Sequence, residues 1–161
     1  MKVAQYNSAV EQYADNLFRF AVKNLRDEEK ARDVVQDTFE KLWLKRENVQ
    51  AEKVRSYLFS TCYHTLIDRV RRDKKQGSME EANFQSMSHE RQYSDLQEIL
   101  HEALEQLPEI QRSVILLRDY EGYSYQEIGD MTNLSESQVK VYIFRARKFL
   151  KNYLVSVDML I

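Results

Sequence analysis

The stretch with the clearest capacity for chemistry is Ser124 to Lys148, SYQEIGDMTNLSESQVKVYIFRARK. Ser124 and Glu127 stand at S-x-x-E spacing, where each side chain can accept from a backbone N–H at a helix start. Ser135 and Gln138 repeat that device eleven residues on. Asn133 lies between them and tolerates the left-handed backbone that often ends a helix. A short helix, a tight turn and a longer helix therefore follow one another, the layout of a helix-turn-helix. On the second helix Val139, Ile143, Ala146 and Leu150 recur at helical spacing and should pack inward. Lys140, Arg145, Arg147, Lys148 and Lys151 occupy the rest, so Ser135 to Leu154 carries five basic residues against one acid. A polar start and a basic body suit a helix whose first turns meet base edges while its cations hold phosphates. An ordinary amphipathic helix with a solvated basic face has the same periodicity.

The elements that must position this pair are helical too. Three glycines and one proline in 161 residues leave few places where a helix must stop. The net charge is −2, so any nucleic-acid role has to come from local patches. The single cysteine, Cys62, excludes an internal disulfide and suits a reducing, cytoplasmic compartment. The amino-terminal stretch lacks the apolar core of a signal peptide, and no apolar run reaches membrane-spanning length. His64, His89 and His101 are scattered without ligand spacing, and no glycine-rich phosphate loop or nucleophile elbow is present. No cofactor and no catalytic constellation are expected.

In chain order, a first helix is expected from Ser8 to Leu25 with Val10, Tyr13, Leu17, Phe20 and Ala21 buried. Asn24 to Asp27 reads as a break, with Asp27 capping a second helix from Glu28 to Arg46. Val35, Phe39, Leu42 and Trp43 form that helix's expected core. Asp33, Gln36, Asp37 and Glu40 recur at i, i+3, i+4 and i+7 on its polar side. They are either a solvated face or a dock for a basic helix. Glu47 to Lys53 reads as a loop.

A third helix, Val54 to Lys75, buries the edge Val54, Leu58, Cys62, Leu66 and Val70. Its other faces carry Tyr57, Tyr63 and His64 and then RVRRDKK. Basic residues at a helix end complement its dipole. Aromatics leading into a basic run also suit a surface that stacks bases and follows a backbone. Gln76 to Asp95 is polar and acidic and reads as a flexible linker. A fourth helix, Leu96 to Leu107, turns Ile99, Leu100, Ala103 and Leu107 inward. Pro108 opens a fifth, Glu109 to Tyr120, with Ile110, Val114, Leu116 and Leu117 as core. Gly122 turns the chain into the helix-turn-helix, and Val155 to Ile161 is a short apolar end. The expected fold is all-α: a domain over 1–75, a linker over 76–95 and a second domain over 96–161.

Three stretches in this order resemble a bacterial RNA polymerase sigma factor of the extracytoplasmic-function type, from about Val10 to Tyr153. DEEKARDVVQDTFEKLW is similar to the family's polymerase-binding helix, and VRSYLFSTCYHTLIDRVRR to its minus-ten helix. LPEIQRSVILLRDYEGYSYQEIGDMTNLSESQVKVYIFRARKFL resembles its minus-thirty-five domain. The resemblance implies a dissociable specificity subunit, without enzymatic activity, that directs core polymerase to promoters and helps open them. The family's D-x-x-Q-[ED]-x-F pattern falls on Asp33, Gln36, Asp37 and Phe39. This implies that Asp33, Gln36, Asp37 and Glu40 dock on clamp helices of the largest polymerase subunit.

By the same resemblance Tyr57, Tyr63 and His64 meet unstacked minus-ten bases, with Arg69, Arg71 and Arg72 on the backbone. Ser135, Ser137, Lys140, Val141 and Phe144 lie toward minus-thirty-five base edges, and Arg145 and Lys148 toward phosphates. The chain departs from the family at Tyr57, where Trp is frequent, and at Tyr63 and His64, where an Arg-Asn pair is frequent. Tyr142 replaces a usual arginine, which shifts phosphate holding to Lys140, Arg145 and Arg147. An anti-sigma partner is implied by family alone. The acidic linker is either a plain tether or a segment that lies in the polymerase's basic channels. A LuxR-like regulator that binds duplex DNA without polymerase, or a helical adaptor that binds only protein, would share parts of this pattern.

Overall fold

The computed structural model describes residues 1–76 and 95–160. The chain is all-α and forms two compact units that divide at Gln76, each with its own core. The proposed linker lies almost entirely outside the described residues.

The first unit is built from α1 (Val3–Leu25), α2 (Glu28–Leu44) and α3 (Val54–Gln76), each packed on the other two. Helix α1 begins five residues before the expected Ser8. Two contacts extend it: the Lys2 N–H donates to Gln5 Oε1 at 2.8 Å, and the Tyr6 hydroxyl donates to the Phe39 carbonyl at 3.0 Å. The Tyr6 ring also meets Trp43 edge-on, with centroids 4.9 Å apart. Asn24 belongs to the helix rather than to the break, since its buried amide donates to the Phe20 carbonyl at 2.9 Å. The chain turns at Arg26, in left-handed conformation, and Asp27 caps α2 by accepting from the Lys30 N–H at 3.0 Å.

Helix α2 ends at Leu44, two residues before the expected Arg46. It buries Ala31, Val34, Thr38, Phe39 and Leu42, while Val35 and Trp43 stay half-buried. The core face is thus rotated toward Thr38, whose hydroxyl donates to the Val34 carbonyl at 2.7 Å and so enters the core satisfied. Two short 3₁₀ turns, Arg46–Asn48 and Ala51–Lys53, fill the expected loop, with Val49 buried between them. Because α3 packs on both α1 and α2, its buried face is broad: Leu58, Phe59, Cys62, Tyr63, Thr65, Leu66 and Ile67. Val70, expected on that edge, is half-buried. Phe20 and Phe59 meet edge-on at the centre, 5.6 Å apart.

The second unit contains α4 (Asp95–Gln106), α5 (Glu109–Ile115), α6 (Tyr125–Thr132) and α7 (Glu136–Leu160). Helix α5 does not run unchanged to Tyr120. Leu116–Tyr120 widens into π geometry, with the Glu121 N–H donating to the Leu116 carbonyl at 3.1 Å. Gly122, at φ +81°, then supplies a conformation that L side chains rarely adopt. The core joins Ala103, Leu104, Leu107, Val114, Ile115, Leu116, Leu117, Ile128, Val139, Ile143 and Ala146. The segment from Val155 is no separate end, since α7 continues through it to Leu160.

Candidate nucleic-acid interface and docking stripe

Both capping boxes form. The Glu127 N–H donates to Ser124 Oγ at 3.1 Å, and the Ser124 N–H donates to Glu127 Oε1 at 2.8 Å. At α7 the Gln138 N–H donates to Ser135 Oγ at 3.1 Å and the Ser135 N–H to Gln138 Oε1 at 2.9 Å. Asn133 sits at φ 62°, as a left-handed helix end requires. The turn is also fixed by a residue that the motif reading passed over. A Cβ on Gly129 would stand 2.7 Å from the Leu134 carbonyl oxygen, so only glycine lets α6 approach the start of α7 this closely. The available signal was a lone glycine inside a helical pattern.

Val139, Ile143 and Ala146 are buried on one side of α7. With 3.6 residues per turn, Ser137, Val141, Phe144 and Lys148 fall on the opposite side, in one stripe at i, i+4, i+7 and i+11. All four are exposed. Val141 and Phe144 are large apolar groups left 45% and 67% exposed. Arg145 flanks the stripe and, with Ser137, Gln138, Val141 and Tyr142, lines a shallow open groove. Neither Arg145 nor Lys148 forms an ion pair with any described residue.

The other flank faces α6. Lys140 reaches toward the Tyr125 ring, its Nζ 5.6 Å from the centroid, and pairs loosely with Glu136 at 3.7 Å. Arg118 covers Tyr125 at 4.4 Å. Arg147, expected among the phosphate holders, is instead committed to Asp119 through contacts of 2.6 and 3.3 Å. That two-point hydrogen bond pushes its guanidinium further from losing its proton, against the smaller effect of burial. Its role is to tie α7 to the π turn.

The expected minus-ten residues of α3 are placed less openly. Tyr63 is only 6% exposed, a correction to its expected place on an outer face. The three-helix packing buries it, and it supports His64 edge-on at 5.0 Å. Tyr57 and His64 are half-buried. Arg69 is 22% exposed and lies between Asp33 at 3.6 Å and Asp73 at 3.8 Å, while Lys30 pairs with Asp73 at 2.9 Å. Arg71 and Arg72 are exposed and carry no ion pair among the described residues. On α2, Asp33, Gln36, Asp37 and Glu40 are all exposed along one stripe, opposite Ala31, Val34, Thr38 and Leu42. Glu40 adds to burial in holding the Tyr6 phenol above its ordinary pKa. Among the described residues no group of acids, histidine or cysteine is arranged to hold a metal ion, and no helix is long and apolar enough to cross a membrane.

Residues 9–76 match the family Sigma-70 region 2, and residues 97–150 match Sigma-70, region 4. The chain is 28% identical to the RNA polymerase sigma factor SigV of Bacillus subtilis, over 94% of this chain and 92% of that protein. It is 29% identical to the ECF RNA polymerase sigma factor SigM of the same organism, over 86% and 88%. Among solved structures it resembles the sigma factor RpoE of Bartonella quintana in complex with the anti-sigma factor NepR. That match has a TM-score of 0.78 and 27% identity over 94% of this chain and 98% of that one. CnrH, solved with the cytosolic domain of CnrY, gives a TM-score of 0.71 at 25% identity, over 94% and 88%. With both sigma regions present in order along a helical chain that matches such factors nearly end to end, the protein belongs to the sigma-70 family, in its extracytoplasmic-function group.

Proposed function

We propose that this sigma factor, which directs RNA polymerase to promoters, divides its work between its two units. In the first, Asp33, Gln36, Asp37 and Glu40 dock on a basic surface of core polymerase. In the second, α7 enters the major groove of the minus-thirty-five element. Ser135, Ser137, Lys140, Val141 and Phe144 meet base edges, and Arg145 and Lys148 hold phosphates. The surface of α3 receives unstacked minus-ten bases through Tyr57 and His64, with Tyr63 as the buried support beneath them. Arg71 and Arg72 follow the backbone, and Arg69 joins them once it leaves its carboxylates.

The single observation that carries this reading is the stripe of α7 that points directly away from its own core. Side chains able to read bases lie there with unpaired cations beside them. The protein acts as a specificity subunit without an enzymatic step of its own, in the cytoplasm. An anti-sigma protein is its natural regulator, as the similar sigma factor RpoE of Bartonella quintana is held by the anti-sigma factor NepR.

Co-elution with core polymerase tests the dock. Asp37→Lys is expected to abolish co-elution while leaving the helical content intact, and undiminished co-elution rejects the stripe. Transcription from a promoter library tests the reader. Lys140→Ala is expected to alter preference in the upstream element only, and an unchanged preference rejects the assignment of α7.

A further inference from the structure

We propose that Val141 and Phe144 form an apolar reader of thymine, selecting its C5-methyl group in the major groove. The inference rests on the assignment of α7 as the groove-entering helix and adds the chemical class of base that it selects. Two large apolar side chains, 45% and 67% exposed, stand three residues apart on the face opposite the core. Neither belongs to the buried core, to which α7 contributes Val139, Ile143 and Ala146. Leaving such groups in water is unfavourable in the free protein, and the stabilisation returns only when a partner covers them.

The surroundings identify that partner as duplex DNA. Lys140, Arg145 and Lys148 flank the pair, and no acid lies on the stripe. Glu136, the one acid in this part of α7, pairs with Lys140 to its side. A cationic rim about an apolar centre is complementary to phosphates about a groove floor. In that groove only thymine offers a methyl group, whereas cytosine carries a bare C5–H and the purines present mainly hydrogen-bonding groups. Ser137, one turn before Val141, can donate or accept beside it, so the hydroxyl tolerates either neighbour while the apolar pair does not. The i, i+3 spacing places the two groups about 4.5 Å apart along the helix axis, which suits methyl groups on neighbouring base pairs.

The experiment uses holoenzyme assembled from core polymerase and the full chain, on a promoter selected by that holoenzyme from a random library. Each upstream thymine is replaced singly by deoxyuridine, which removes only the methyl group. The expected result is about a fourfold loss of promoter binding at one or two adjacent positions, the effect of one buried methyl group. The variants Val141→Ser and Phe144→Ala are expected to bind thymine and uracil promoters equally at those positions. Their thermal unfolding should be unchanged, because both side chains are exposed.

If uracil is silent everywhere while base-pair swaps upstream still weaken binding, the methyl inference is overturned and the groove assignment stands. If the uracil penalty persists undiminished in both variants, another group reads the methyl and the inference is again overturned. If upstream swaps are themselves without effect, the assignment of α7 fails, and the inference falls with it.

Discussion

The two surfaces assigned to DNA differ in how finished they are. On α7 the outward stripe is open: Val141, Phe144, Arg145 and Lys148 are exposed, and Arg145 and Lys148 form no ion pair with described residues. On α3 two of the corresponding groups are engaged within their own unit, while Arg71 and Arg72 stay exposed. Tyr63 is buried, and Arg69 is shared between Asp33 and Asp73. The contrast matches the two tasks proposed for these helices. Duplex DNA presents its edges without distortion, so a rigid helix can be complementary in advance. An extruded base costs a few kcal/mol to unstack, and its receiving surface has to supply stacking and edge contacts in return. A surface whose arginine is held by Asp33, itself part of the proposed docking stripe, is one that polymerase binding would alter.

The largest effect is expected at the turn between α6 and α7. Gly129→Val forces a side chain against the Leu134 carbonyl, already 2.7 Å from the Cβ position. The second unit should lose about 1–3 kcal/mol, the usual range for overpacking. Circular dichroism on denaturation checks this. The fluorescence of Trp43, the one tryptophan and in the first unit, should keep its midpoint. Coincident loss in both signals would deny that the units are separately stabilised.

The sealed character of the first unit has a pH signature. Burial pushes the Cys62 thiol from 9.0 to about 12, with a smaller opposing contribution from the Thr38 hydroxyl. The folded state therefore keeps a proton that the unfolded chain loses. This stabilisation is complete below pH 9 and declines as pH rises toward 12. Cys62→Ala should flatten that decline in an alkaline denaturation series. In the native protein the thiol should resist a disulfide reagent at pH 8, and rapid labelling there would contradict the sealed core.

A smaller effect belongs to the start of α7. Ser135→Ala removes the hydroxyl that accepts from the Gln138 N–H and should cost about 1 kcal/mol. Chemical denaturation measures the loss, and Ser135→Asp should recover most of it. The smallest effect sharpens the contrast itself. A double-mutant cycle with Asp33→Asn and Arg69→Gln should give a coupling of about 0.5 kcal/mol, as expected for a loosely held pair at 3.6 Å with its carboxylate open to water. The coupling should vanish when core polymerase is bound, and its persistence there would show that Arg69 is not released.

The parts of this molecule that could be read from the chain are those decided by near neighbours. The two boxes at Ser124 and Ser135 and the left-handed Asn133 need only residues within one turn, and all form as their spacing predicts. The parts that escaped depend on distant partners. Helix α1 starts early because Tyr6 reaches Phe39, thirty-three residues away. Tyr63 is buried because α3 is covered from two sides, and a periodicity tuned to a single buried edge cannot show that. Arg69 and Arg147 looked like free cations in a basic run, yet each meets an acid on another element. The exposure of Asp33, Gln36, Asp37 and Glu40 followed from spacing, whereas their assignment to polymerase came from the family pattern.

The claim that the outward stripe of α7 chooses the promoter is tested most directly by sequencing transcripts from a randomised upstream element, using wild-type and Phe144→Ala holoenzyme. The account predicts equal affinity of the two proteins for core polymerase, with base preference altered upstream and unaltered downstream. An identical upstream profile for the two proteins would contradict it.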